Sequence, residues 1–308
     1  KGLSVGRTFS HAVRATVVDA TAGQIRALSR SDRVAAVERD APISIATTQD
    51  PAPWGLDRMD QRRLPGSDSY TFLGSGTGVE VYVVDTGVRA SHNDFGGRVA
   101  AGWTAVADGN GSGDCNGHGT HVAGTAGGAD YGAAKTATIV PVRVLDCDGA
   151  GMVSDVVAGL DWVAAQHEPG DPAVANLSIG GSVSSTLDAA VQGLIDDGVT
   201  TVAAAGNSTA DACESSPSGV GPVVTVAASN SSDTQASFSN FGPCIDLFAP
   251  GVSISSTWHA SDTATASHNG SAFGGQRGNA EPDAVRAAGA GDSTGTGIRI
   301  DDLYDPVG

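Results

Sequence analysis

The chain has 308 residues, 40% of them apolar, enough for one large domain or a large domain with a small one. Seventeen Lys and Arg against 34 Asp and Glu leave a dispersed net charge of −17, which argues against a nucleic-acid partner and for a solvated surface. Its 43 glycines are scattered, which excludes a collagen-like chain, and no apolar run is long enough to cross a bilayer.

Residues 1–45 are basic in patches. Thr21 can cap a helix on which Ile25 and Leu28, three apart, share a face. Arg33–Val34–Ala35–Ala36–Val37–Glu38 reads as a strand. Residues 42–53 bring three prolines around Ala46–Thr47–Thr48–Gln49, which reads as an exposed linker open to nicking. No charged start followed by an apolar stretch is present, so a secretory signal is expected to have been removed already.

From residue 79 strands and helices alternate. Val79–Glu80–Val81–Tyr82–Val83–Val84 is a β-former run ending at Asp85–Thr86–Gly87. A helix begins at Ser185 or Thr186, with Leu187, Val191, Leu194 and Ile195 in one stripe. Gly198 stops it and Val199–Ala203 returns as a strand. Strands apolar on both faces with helices between them predict an α/β fold with a parallel sheet covered on both sides. Its site should lie at the carboxyl ends of the strands.

Three polar positions fall where such a site belongs. Asp85 closes a buried-looking strand, so its carboxylate needs a partner such as an imidazolium; a turn Asp is the plainer alternative. His118 stands between glycines at a helix start, where the dipole keeps the ring a free base until a carboxylate offsets it. His118 and His121, three apart, also resemble a metal pair, but no third ligand follows at a metal spacing. Asn207 ends Val202–Ala203–Ala204–Ala205–Gly206 and can aim an amide donor at an oxyanion, worth roughly 3–4 kcal/mol; a turn Asn is again the plainer reading. Cys115, Cys147, Cys213 and Cys244 include no CxxC pair, which suits two disulfides of an extracellular protein better than zinc, with buried thiols as the alternative.

Together, Val84–Asp85–Thr86–Gly87, Asp114–Cys115–Asn116–Gly117–His118–Gly119–Thr120, Ala205–Gly206–Asn207 and Ala249–Pro250–Gly251 are far more specific. Over residues 8–271 the chain resembles the subtilases, specifically the proteinase K-like group and its aqualysin-type members. The resemblance implies a three-layer subtilisin-like fold with a central parallel sheet over residues 46–276. A small α+β inhibitory propeptide, lacking its first strand, precedes it at 1–45. Asp85 becomes the orienting acid of an Asp-His-Ser triad, His118 the general base and Asn207 the oxyanion donor. Gly149–Ala150–Gly151 and Ser178–Ile179–Gly180 become edge strands gripping an extended peptide. The disulfides become Cys115–Cys147 and Cys213–Cys244, each closing about 30 residues and stabilising by roughly 3–4 kcal/mol.

No cofactor is implied for catalysis. A structural calcium ion is implied at Asp57, Asp60, Gln61 and Ser67, with dispersed surface carboxylates as an equal alternative, whereas Asn230 stands where another calcium site would have an Asp. The expected partners are protein or peptide substrates and the chain's own propeptide, without nucleic acid or membrane. A secreted monomer in zymogen form is expected.

The nucleophile segment departs from the pattern. The family reads Gly-Thr-Ser-Met-Ala, and this chain reads Asn269–Gly270–Ser271–Ala272–Phe273–Gly274–Gly275–Gln276. Matching without a gap puts Ser271 on the family's Thr and Ala272 on its Ser; a one-residue deletion makes Ser271 the nucleophile. Residues 277–308 form an atypical polar tail without the expected apolar helix, which suggests a reading-frame change or a replaced terminus. Two readings follow: a serine endopeptidase with a disrupted nucleophile motif, or a catalytically inactive peptide-binding protein of the same lineage.

Overall fold

The computed structural model describes residues 3–38, 40 and 46–271. The chain divides into two compact units, Lys1–Ile45 and Ala46–Gly308. In the first, β1 (Ser4–Phe9) pairs antiparallel with β2 (Ala15–Asp19). Helix α1 (Ala22–Ser29) follows, closed by a capping box: Thr21 Oγ1 accepts from the Gln24 N–H, and Gln24 Oε1 accepts from the Thr21 N–H. The strand expected at 33–38 does not form. Ser31 N donates to Leu28 O and Val34 N to Ser31 O, so the helix exit runs into turns. No ladder partner for this segment lies among the described residues, and two valines cannot hold an extended chain without one.

The second unit opens with β3 (Thr47–Gln49), inside what the sequence suggested was linker. It pairs antiparallel with β4 (Tyr70–Phe72), and Thr48 Oγ1 meets Thr71 Oγ1 at 3.0 Å. The two-residue β-former run is enough because a partner is at hand. Between them lies the short helix α2 (Trp54–Asp57).

The remaining strands and helices build the body. They are β5 (Glu80–Asp85), β6 (Trp103–Thr104), α3 (His118–Gly127), β7 (Thr138–Arg143), α4 (Val153–Gln166), β8 (Ala173–Leu177), β9 (Gly181–Ser182), α5 (Ser185–Asp197), β10 (Thr200–Ala204), β11 (Ser215–Ser216), β12 (Val224–Ser229), β13 (Leu247–Pro250), β14 (Ile254–Thr257) and β15 (Thr265–His268). Seven strands form a parallel sheet in the order β13-β12-β10-β8-β5-β7-β6.

Alternation along β5 explains the three layers. Tyr82 and Val84 pack with Val156, Leu160 and Val163 of α4 and Leu187, Val191 and Leu194 of α5. Val81 and Val83 face the other way, onto Val122, Ala123 and Ala126 of α3. Burying each such valine or leucine is worth roughly 1.5–3 kcal/mol. The α5 stripe is the one expected. Gly198 ends that helix at φ 105°, donating to Leu194 and Ile195 carbonyls.

Asp85, Leu177 and Ala204 close β5, β8 and β10, so the polar segments after them gather at the carboxyl edge of the sheet.

Candidate active site

Asp85 is fully buried, and its carboxylate meets Nδ1 of His118 with both oxygens, at 2.8 and 2.9 Å. Oδ1 also accepts the Thr86 N–H at 2.7 Å. The imidazole, about one third exposed, stands at the first residue of α3. Two glycines make this approach possible. A Cβ on Gly117, at φ 114°, would lie 2.4 Å from the Trp258 ring. One on Gly119 would lie 2.2 Å from Gly87 O.

Burial by itself lowers the basicity of His118. The charge and hydrogen bond of Asp85, with the charge of Asp114, more than offset this and hold its pKa above the ordinary histidine value. The expected helix-dipole effect is therefore outweighed. With Nδ1–H donated to Asp85, Nε2 is the proton acceptor.

His121 does not join His118 in a metal pair. It is buried, its Nε2 donates to Ile254 O at 3.0 Å, and burial and the neighbouring His268 push its pKa down to about 4. Among the described residues the one group of three His, Cys, Asp or Glu side chains close enough to share a metal is Asp108, Cys115 and Cys147, and its sulfurs are bonded to each other. The disulfides are Cys115–Cys147 and Cys213–Cys244, spanning 32 and 31 residues. The first ties the loop before His118 to the turn that holds Gly149, and Asn116 Nδ2 reinforces it by donating to Cys147 O at 3.0 Å.

Asn207 lies just past β10, exposed, behind Gly206 at φ 104°. Its Oδ1 accepts the Ser271 N–H at 2.9 Å and the Ser271 hydroxyl at 3.1 Å. A backbone N–H can only donate, so the amide oxygen must face Ser271, and the NH₂ end is left to donate elsewhere. Ser271 is itself fully buried, and its Oγ accepts the Gly206 N–H at 3.0 Å. Among the described residues no hydrogen bond joins Ser271 to His118. Ala272 and residues 273–308 lie outside the described residues.

Of the two segments expected to grip a peptide, Gly149–Ala150–Gly151 is exposed, whereas Ser178 is buried, Ile179 packs partly against the core and only Gly180 is exposed; neither segment is a strand. Residues 146–151 form a turn, in which Asp146 N donates to Ala150 O at 2.8 Å and Gly149 N to Asp146 O at 3.1 Å, with Gly149 at φ 78°. Ser178–Ile179–Gly180 continues from β8 as loop.

The four calcium candidates separate into two groups. Asp57 Oδ1 accepts from Ser67 N, Ser67 Oγ and Gln61 Nε2 at 2.8–3.1 Å, whereas Asp60 Oδ2 turns to the Thr71 N–H at 2.5 Å. Carboxylate, hydroxyl and amide oxygens suit calcium once the Gln61 amide makes a half-turn, so Asp57, Gln61 and Ser67 fit the ion. Asp60 does not share their contacts.

Asp114 and Thr86 stand in the sequence motifs without an assigned role, and in the structure they join the Asp85 and His118 segments through hydrogen bonds. A signal was present: Gly117 offers no capping side chain, so the first N–H groups of α3 had to find an acceptor elsewhere.

A three-layer α/β fold with Asp85 on His118 at the carboxyl edge of the sheet, and an Asn beyond the next strands, defines the subtilisin-like class of serine proteinases. The chain belongs to the subtilase family: the model described as "Subtilase family" (peptidase S8) matches residues 76–279. It is 49% identical over 273 residues to an extracellular serine proteinase of Thermus sp. (strain Rt41A), covering 89% of this chain and 66% of that one. Identity to alkaline serine exoprotease A of Vibrio alginolyticus is 46%, over 83% of this chain and 49% of that protein. The chain thus spans about half to two thirds of the length of these relatives. The crystal structure of a cold-adapted subtilisin-like serine proteinase superposes with a TM-score of 0.73 at 46% identity, over 82% of this chain and 89% of that one.

Proposed function

We propose that the chain is a secreted serine endopeptidase of the subtilase family in zymogen form, with residues 1–45 as its propeptide and a disrupted nucleophile segment. The observation that carries this reading is the Asp85–His118 contact. In such a site His118 Nε2 takes the proton of a serine hydroxyl as that oxygen attacks a peptide carbonyl. Asp85 stabilises the imidazolium, and Asn207 Nδ2 donates to the oxyanion. The proton passes to the leaving amine, and water repeats the sequence on the acyl-enzyme. Gly149–Gly151 and Ser178–Gly180 would pair with the substrate backbone, a sequence-tolerant grip suited to unfolded protein chains. The chemistry needs no cofactor. Calcium held by Asp57, Gln61 and Ser67 would brace the loop after α2. Extracellular work fits the two disulfides and the likeness to the extracellular proteinase of Thermus.

A second reading, a peptide-binding protein without turnover, is favoured by Ser271, whose hydroxyl is engaged by Gly206 and Asn207. Labelling the purified chain with a fluorophosphonate, together with NMR of its amides during addition of an end-blocked peptide, separates the two. An adduct on Ser271 supports turnover by this chain. No adduct, with shifts at Gly149–Gly151 and Ser178–Gly180, supports the binding reading. Neither adduct nor shifts contradicts both.

A further inference from the structure

Asp114 lies four residues before His118 and takes no part in the proton transfers themselves. Its carboxylate accepts five hydrogen bonds. Oδ1 takes Thr86 Oγ1 at 3.0 Å, Asn116 N at 2.9 Å and Gly117 N at 2.8 Å. Oδ2 takes Thr120 N at 2.9 Å and Thr120 Oγ1 at 2.5 Å. Five donors converge on one carboxylate, so its oxygens are fully engaged.

The donors belong to two separate pieces of chain. Thr86 follows Asp85 at the end of β5, and its Oγ1 also accepts the Gly119 N–H at 2.9 Å. Gly117 and Thr120 flank the start of α3, where Gly117 brings no side chain to cap the helix. Asp114 supplies that cap from outside the helix, and through Thr86 it holds the end of β5 against it. Asp85 and His118 sit one residue from these clamped points. An anion at a helix N-terminus is also favoured by the helix dipole and counters the repulsion of that dipole for an imidazolium.

We propose that Asp114 is a positioning residue for His118: one carboxylate, bonded to the end of β5 and to the start of α3, fixes the imidazole on Asp85 and places a second acidic group beside it. This rests on His118 being the proton acceptor of the site. Among the described residues, the titratable groups facing His118 are Asp85 from β5, Asp114 from the preceding loop, His121 on its own helix and His268 from β15. Both neighbouring histidines are held below the ordinary histidine value, chiefly by burial, and so are neutral near pH 7. The two carboxylates therefore dominate the field at the ring, and Asp114 is the one that also builds the frame.

The test follows the His118 imidazole and its Nδ1 proton by NMR across pH in the full chain. Asp114→Asn is expected to lower the proton affinity of His118 about tenfold, as loss of a nearby opposite charge does, and to broaden the downfield Nδ1 proton. The midpoint of His167, whose partner is Asp197, stays in place. A folded Asp114→Asn protein with His118 midpoint and Nδ1 proton unchanged overturns the proposal. If that variant does not fold, Thr86→Val cuts the link to β5 and leaves the charge. It is expected to broaden the Nδ1 proton with little change in midpoint, and an unchanged proton signal overturns the proposal. A titration needs no turnover, so failure here bears on Asp114 and not on whether the chain cuts peptides.

Discussion

Ser271 holds Asn207 by two hydrogen bonds to a single oxygen, one from its backbone N–H at 2.9 Å and one from its hydroxyl at 3.1 Å. This is a brace: it turns the NH₂ end of Asn207 away from Ser271. It also occupies the hydroxyl a nucleophile would have to present to His118. Replacing Ser271 by Ala strands the partly buried Gly206 N–H and is expected to destabilise the chain by about 1 kcal/mol, read from urea midpoints.

The disulfides should matter more. Each closes a loop of about 30 residues, so Cys213→Ser with Cys244→Ser is expected to cost roughly 3–4 kcal/mol by chain entropy. Cys115→Ser with Cys147→Ser should cost a similar amount and in addition loosen the loop before His118. Thermal unfolding of the two double variants, with and without reductant, checks both.

Stability should fall in mild acid, and His121 gives the window. Its folded pKa of about 4 lies below the ordinary value of 6.5, so folding favours the neutral ring. That contribution is full above 6.5 and is lost as pH falls toward 4, at about 1.4 kcal/mol per pH unit. His167 runs the other way: its raised pKa gives stability present below 6.5 and lost as pH rises through the folded value. Denaturation at pH 7 and pH 4.5 is expected to show a drop that His121→Gln reduces.

Calcium should raise the melting temperature without being needed for the chemistry. Ion at a hundred times its dissociation constant adds about 2.7 kcal/mol. Asp57→Asn is expected to abolish the response, whereas Asp60→Asn, with its carboxylate on Thr71, should retain most of it. Calorimetry with calcium and with a chelator makes the comparison.

Much of this was legible because local pattern and tertiary demand agreed. The β5 run is apolar on both faces because helices cover both, and Gly198 stops α5 because only glycine takes that φ readily. Arg33–Glu38 failed as a strand because propensity supplies no ladder, and Thr47–Gln49 succeeded because β4 does. Asp85, His118 and Asn207 were visible as motifs, each with a plain alternative that only their assembly could weaken. The disulfide pairing came from the family resemblance and not from spacing. The role of Asp114 was missed because it lies in five bonds to residues on two segments, a relation that composition and periodicity do not record. The brace on Asn207 was hidden for the same reason.

The most direct test of the account is whether the chain cuts itself. Purified protein is incubated with calcium at neutral pH and weighed by intact mass spectrometry. With Ser271 bracing Asn207, and with the gap-free sequence match that sets Ala272 on the family's Ser, the full mass is expected to persist, with residues 1–45 attached; loss of the serine in subtilisin costs about 2 × 10⁶ in kcat. A species beginning near Ala46, formed at a rate independent of protein concentration and abolished by Ser271→Ala, would contradict the account and make Ser271 the nucleophile.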